Sequence, residues 1–469
     1  MKKKLFIKTY GCQMNVYDSE RMSDLLSPLG YDLGDSPDGA DLVILNTCHI
    51  REKATEKAYS DLGRVREHKE AHEKKGEQMI VAVAGCTAQA EGEEILRRAP
   101  YVDLVVGPQS YQNLPQLIAE AKRRRESDKP VGRGILDIDF PEIPKFDGLP
   151  EIRHEGGPSA FLAIQEGCDK FCHFCIVPYT RGAEYSRPAK DVLRDAEALV
   201  RQGVRDITLL GQNVNAYHGL SVRGQGEWTL GNLISALAEI DGLKRIRYMT
   251  SHPKDVDDSL IEAHRDVEKL MPYIHLPVQS GSDAVLKAMN RKHTAQFYLD
   301  IIDRFKEARP DIAFSSDFIV GYPGETDADF EATLQLIRRV HYAQAYSFKY
   351  SPRPGTPAAV HERQVEESVK DARLQAMQSL LRIQQEAFNQ SCVGRRLPVL
   401  FDKPGRHQGQ LIGRSPYLQA VYVNASDRLL GEIVDVDIHQ STLNSLTGDV
   451  VIQDGVLDFE KTSDKKIKQ

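Results

Sequence analysis

Between residues 159 and 390 a short strand-like apolar run is followed by a helical stretch six times in succession. That rhythm leaves few folds open. Strands that each lead into a crossover helix pair in parallel, and six such units make either a partial barrel or a doubly wound sheet. Periodicity alone does not choose between them. The strands are expected at Phe161–Gln165, Asp206–Leu210, Arg245–Thr250, Tyr273–Val278, Ala313–Val320 and Ala343–Tyr350. Of the helices between them, Ala189–Gln202 is read with Leu193, Ala196 and Val200 inward and Gly203 as its stop. A long helical stretch, Glu362–Asn389, ends the region.

The same alternation occupies residues 1–126, with strands expected at Leu5–Thr9, Leu42–Leu45, Ile80–Ala84 and Val102–Val106. Met22, Leu25, Leu26 and Leu29 follow helical spacing between the first two, with Asn15 as N-cap. Residues 127–158 hold five Pro and five Gly in 32 positions and read as an extended linker. Residues 391–460 change to short Val/Ile/Leu/Tyr runs broken by turn signals, which points to a small β-barrel, and 461–469 read as a disordered tail. The fold class is therefore α/β: a doubly wound parallel-sheet domain, a partial (β/α)6 barrel over 159–390, and a small all-β barrel.

Seven cysteines in 469 residues are too sparse, and odd in number, for a secreted disulfide scaffold. No apolar run approaches the roughly 18 residues of a membrane span, and no signal-like h-region follows Met1-Lys2-Lys3-Lys4. A reducing, cytoplasmic setting without a membrane partner is expected. The net charge of −7 argues against a uniformly basic nucleic-acid binder, so any RNA contact must be local.

Six cysteines form two triplets. Cys168, Cys172 and Cys175 put three sulfurs on one short loop after a strand. Three thiolates hold three irons of a four-iron cluster and leave the fourth open, as a catalytic centre needs; a zinc site completed by His173 is the alternative. Cys12, Cys48 and Cys86 each follow the end of an expected strand within three residues. Successive parallel strands finish on one edge, where ligands bind, so these three are expected to converge as a second metal site. Cys392 is read as structural.

Gly167–Cys175, with Phe174 before the last cysteine, resembles the radical S-adenosylmethionine (SAM) superfamily. Tyr10–Asn15, Asn46–Ala54, Gly85-Cys86 and Pro178–Gly182 are similar to the methylthiotransferases within it, nearest to the branch that modifies dimethylallyladenosine in tRNA. The resemblance implies an N-terminal methylthiotransferase domain, a radical SAM core and a C-terminal TRAM domain. It implies two [4Fe–4S] clusters: one on Cys168, Cys172 and Cys175 that chelates SAM at its open iron, and an auxiliary one on Cys12, Cys48 and Cys86 that holds or supplies sulfur. The implied reaction is methylthiolation of N6-(dimethylallyl)adenosine at position 37 of tRNA, 3′ of the anticodon, with two SAM consumed per product. An electron donor and an iron–sulfur or sulfur carrier protein follow as partners. The alternatives are the same chemistry on threonylcarbamoyl-adenosine or on a ribosomal-protein aspartate, and a zinc-stabilised RNA-binding protein without catalysis.

Further SAM contacts are expected at Phe174, at Gln212 and Asn213 after the second barrel strand, at Ser251 after the third, and at Gly321 after the fifth. Tyr179 and Arg181, just past the cysteine loop, either face substrate or brace the loop. Arg395, Arg396, Lys403, Arg406 and Arg414, against the one acid Asp402, are expected to meet phosphates, with Tyr417 and Tyr422 stacking on bases.

Overall fold

A computed structural model describes residues 3–49, 52–126, 134–142, 144–151 and 156–451. It divides into two compact units, Met1–Gln385 and Glu386–Gln469.

The first unit opens on a parallel sheet of β1 (Lys3–Thr9), β2 (Tyr31–Leu33), β3 (Leu42–Thr47), β4 (Ile80–Gly85), β5 (Leu104–Val106) and β6 (Ile135–Asp137), in the order β2-β1-β3-β4-β5-β6. Strands β3 and β4 read as unbroken apolar runs because both faces are covered: Leu42 and Ile44 enter one core, Val43 and Leu45 the other. The chain leaves β1 toward β2 and returns on its other side to β3. That reversal opens a crevice at the strands' carboxyl ends.

Two strands of this sheet escaped the sequence. Both β2 and β6 are only three residues long, and β6 lies inside the stretch expected as extended linker. Asn15 is not the N-cap of helix Gln13–Leu26; Cys12 is. Leu29 lies beyond that helix in a 3-10 turn and is exposed.

Six further strands run parallel: β7 (Ser159–Ala163), β8 (Asp206–Leu210), β9 (Arg245–Tyr248), β10 (Tyr273–His275), β11 (Ala313–Val320) and β12 (Gln344–Lys349). They pair in two runs of three, β7-β8-β9 and β10-β11-β12. The runs meet where Ile246 of β9 bridges to Leu270, just before β10. No ladder joins β7 to β12 among the described residues, so the six strands form a partial barrel. One continuous core fills it, with Leu162, Ile207, Leu209, Ile246, Ile274 and Phe318 fully buried. On helix Ala189–Arg201 the buried stripe is Val192, Ala196 and Leu199, one position round from the expected face; Leu193 and Val200 are half-buried.

The second unit is a closed barrel of β13 (Arg396–Pro404), β14 (Gln410–Arg414), β15 (Ala420–Asn424), β16 (Ile433–Ser441) and β17 (Ser445–Val450), in the order β13-β14-β15-β17-β16. Leu411, Val421, Val423, Val436 and Ile438 point inward at alternate positions. The expected tail at 461–469 lies outside the described residues.

Candidate functional site

The N-terminal cysteines collect at the crevice. Cys12 ends the β1 loop, Cys48 follows β3, and Cys86 opens the short helix Cys86–Glu91 after β4. Close approach explains Gly11, which sits at φ +90° where a Cβ would lie 2.2 Å from Cys48 Cβ and 2.5 Å from its sulfur. The Asn15 carboxamide joins two of the loops: its nitrogen donates to the Tyr10 and Thr47 carbonyls at 2.9 Å. Hydrogen bonding with Cys48 pulls the Cys12 thiol down to about 6, against burial and with help from the charge of Arg181. Burial pushes Cys86 up, opposed by the same arginine.

The second triplet lies on the loop after β7. Cys172 is buried and receives Arg291 Nη1 at 3.7 Å, and the Cys175 sulfur accepts from the Val177 amide at 3.5 Å. Burial lifts Cys168 to about 11 and Cys175 to about 12, and each also feels the Cys172 sulfur. Metal ligation here must therefore expel protons. The His173 ring sets its Nδ1 against the Ala288 carbonyl at 2.9 Å. Among the described residues no three His, Cys, Asp or Glu side chains close around a single-ion site.

Beside this loop several buried polar atoms lack partners among the described residues: Asn213 Oδ1, Ser251 Oγ, His252 Nε2, Arg291 Nε and His293 Nε2. Each orphan costs about 1–3 kcal/mol, so the donor set fits a polar ligand. The His252 and His293 rings are 5.7 Å apart, Asn213 donates to Asp255 at 2.8 Å, and Lys170 pairs with Asp255 at 2.7 Å. Arg291 and His293 were invisible to sequence reasoning because they follow no strand end. Thr250, at φ +71°, carries strain beside them.

The other expected residues serve neighbours. Gln212 Oε1 accepts from the Gly167 amide at 2.6 Å and so steadies the cysteine loop. Gly321, at φ +69°, donates its amide to Glu325, and the Lys370 stem fills the space of its missing Cβ. Tyr179 is half exposed, edge-on to Phe171. Arg181 is buried and ion-paired.

Phe174 and Cys175 line a cavity of about 630 Å³ whose wall also holds His49, the neighbour of Cys48. Ile319, Phe348 and Tyr350 make it largely apolar, while Gln279 and Asp317 add polar edges. One space thus touches residues of both cysteine regions.

In the second unit Arg396 is tied to Asp437 at 2.8 Å, Arg414 lies 3.6 Å from Asp402, and Arg395 donates to the Tyr417 hydroxyl at 3.2 Å. Tyr417 is buried against Phe388 and cannot stack on a base, a correction to the expected role. Tyr422 is half-buried on β15. Lys403 and Arg406 are exposed and make no ion pair among the described residues. Cys392 is buried against the Phe388 carbonyl.

Comparison with known proteins gives three matched regions: residues 4–107 to "Uncharacterized protein family UPF0004", 162–337 to the radical SAM superfamily, and 390–451 to the TRAM domain. The chain is 59% identical over 450 residues to a Maricaulis maris (strain MCS10) protein named tRNA-2-methylthio-N(6)-dimethylallyladenosine synthase, covering 95% of this chain and 97% of the relative. A Rickettsia felis protein of the same name is 57% identical, covering 96% and 100%. Among solved structures, the radical SAM methyltransferase TsrM from Kitasatospora setae, with cobalamin and a [4Fe–4S] cluster, aligns at TM-score 0.56 and 13% identity over 88% of this chain and 80% of that one. The cobalamin-dependent SAM radical enzyme OxsB aligns at 0.52 and 13% identity, over 81% of this chain and 56% of that one. Both show the fold alone.

Proposed function

Because the chain belongs to the family of tRNA-2-methylthio-N(6)-dimethylallyladenosine synthases, we propose that its two cysteine triplets each hold a [4Fe–4S] cluster around one nucleoside cavity. The protein is a radical SAM tRNA methylthiotransferase, converting N6-(dimethylallyl)adenosine to its 2-methylthio derivative. Iron–sulfur and SAM are its cofactors. The target adenosine is the one 3′ of the anticodon, at position 37.

The observation that carries the reading is the shared cavity: Cys175 and His49 stand on the wall of one 630 Å³ space, within the range of small-molecule sites. The C2–H of adenine is hardly acidic, so a base has little purchase. A SAM-loaded cluster on this loop would supply radical chemistry suited to such a C–H bond. Cys168, Cys172 and Cys175 hold that cluster, and Asn213, Ser251 and their orphaned neighbours orient SAM beside it. Phe174, Ile319, Phe348 and Tyr350 receive the dimethylallyl group and exclude water. Gln279 and Asp317 offer hydrogen bonds to the base edge. Cys12, Cys48 and Cys86 would hold the second cluster, which would supply sulfur. The setting is cytoplasmic, with an electron donor to reduce the loop cluster and an iron–sulfur or sulfur carrier to refill the other.

Nucleoside mass spectrometry of tRNA from a deletion strain tests this. Dimethylallyladenosine should persist without its methylthio group, and the plasmid-borne chain should restore it. Loss of methylthiolated threonylcarbamoyl-adenosine instead would overturn the substrate assignment.

A further inference from the structure

Arg181 closes the short helix Val177–Arg181, six residues past Cys175, yet its guanidinium lies among residues of the N-terminal sheet domain. Nη1 donates to Glu166 Oε1 at 2.6 Å, and Nη2 to Asp18 Oδ2 at 2.7 Å and Asn15 Oδ1 at 3.0 Å. Lys145 completes the group, 2.7 Å from Glu166 and 3.4 Å from Asp18. All four charged side chains are at most 2% exposed. Burying four charges is expensive, and a hydrophobic contact of the same volume is often as stable, so stability alone does not account for them.

Their placement offers the reason. Glu166 stands two residues before Cys168, while Asp18 and Asn15 lie on the helix that Cys12 caps. Asn15 accepts from Arg181 with its oxygen, receives the Cys12 thiol at 3.7 Å, and with its nitrogen holds the carbonyls before Gly11 and Cys48. One side chain from the radical loop thus holds the amide that touches the Cys12 sulfur and fixes the backbone before Gly11 and Cys48.

We propose that Arg181 is a positioning residue for the site at Cys12, Cys48 and Cys86: it fixes that site against the radical loop and supplies the positive charge that makes its cluster reducible. This rests on the two-cluster reading above. A buried positive charge a few ångströms from an iron–sulfur centre favours the added electron. Its removal should make reduction harder.

The test is an EPR-monitored redox titration of anaerobically reconstituted full-length protein, with Cys48→Ala identifying which signal belongs to the N-terminal cluster. Arg181→Met should move that midpoint to more negative potential, leave the loop cluster's midpoint in place, and lower product formed per SAM consumed at least ten-fold. Arg181→Lys, which keeps the charge and loses the fork, should stay near the wild-type midpoint. Arg181→Met/Glu166→Gln removes a cation and an anion together and keeps the burial neutral should the single variant fail to fold; because Glu166 sits on the Nη1 side, away from Asn15, a smaller but still negative shift is expected. An unshifted midpoint in either folded Met variant overturns the assignment, as does an equal shift of both clusters. Wild-type protein with only about four irons, unchanged by Cys48→Ala, would instead overturn the two-cluster reading and this inference with it.

Discussion

Replacing Gly11 with alanine puts the smallest side chain into the tightest part of the N-terminal site. The residue sits at φ +90°, and the added methyl would fall 2.2 Å from Cys48 Cβ and 2.5 Å from its sulfur. The backbone conformation costs an L-residue about 1–2 kcal/mol. Overpacking adds about 1–3 kcal/mol. The Cys48 sulfur must also withdraw by more than 1 Å to reach ordinary contact, which displaces a proposed cluster ligand. Gly39→Ala separates the two effects, because Gly39 has φ +68° with nothing within 4 Å of its missing Cβ, and so carries the conformational cost alone. Iron and labile sulfide would be measured after anaerobic reconstitution, alongside product formed on tRNA. Gly11→Ala should lose about half its iron and nearly all product, and Gly39→Ala should keep both. If the two variants retain the same iron and the same product, the close packing of Gly11 on Cys48 has no bearing on the cluster.

Cys172→Ala should abolish SAM cleavage and product together, whereas Cys48→Ala should retain some SAM cleavage and make no product; product from Cys48→Ala would remove the auxiliary role. Lys403→Ala/Arg406→Ala should weaken tRNA binding and flatten its salt dependence by roughly 1.5 in log–log slope. Arg396→Ala, already neutralised by Asp437, should leave the slope unchanged, and equal effects of the two would refute the distinction. His264 is buried, has its Nε2 2.7 Å from the Tyr248 hydroxyl, and is pushed down to about 3 by burial and by Arg309. A neutral buried histidine contributes stability that is complete above the unfolded value near 6.5 and is lost as pH falls toward 3, at about 1.4 kcal/mol per pH unit. Urea melts at pH 7.5 and 5.5 should therefore show a steeper loss for the wild type than for His264→Gln; parallel losses would contradict it.

That Cys12, Cys48 and Cys86 each follow a strand of one parallel sheet was legible because those strand ends could be read from β-branched runs. Strands β8 and β11 were legible to their last residue, since Ile207, Leu209 and Leu210 in the first and Phe314, Phe318, Ile319 and Val320 in the second mark them as β-rich apolar segments. Strand β6 was not: three residues, Ile135–Asp137, amid Pro and Gly carry no period, and only pairing with β5 makes them a strand. Nothing local marks Lys145 as buried; its carboxylate partners lie 127 and 21 residues away. The basic cluster after residue 395 was visible as charge, but the pairing of Arg396 and Arg414 and the burial of Tyr417 arise only when the small barrel closes.

The central claim is that two separate sulfur nests each carry a four-iron cluster, and metal stoichiometry addresses it directly. Wild-type protein reconstituted without oxygen should bind about eight irons, and the triple alanine variant of either cysteine set should bind about four. Four irons in the wild type, or loss of all iron from both triple variants, would contradict it.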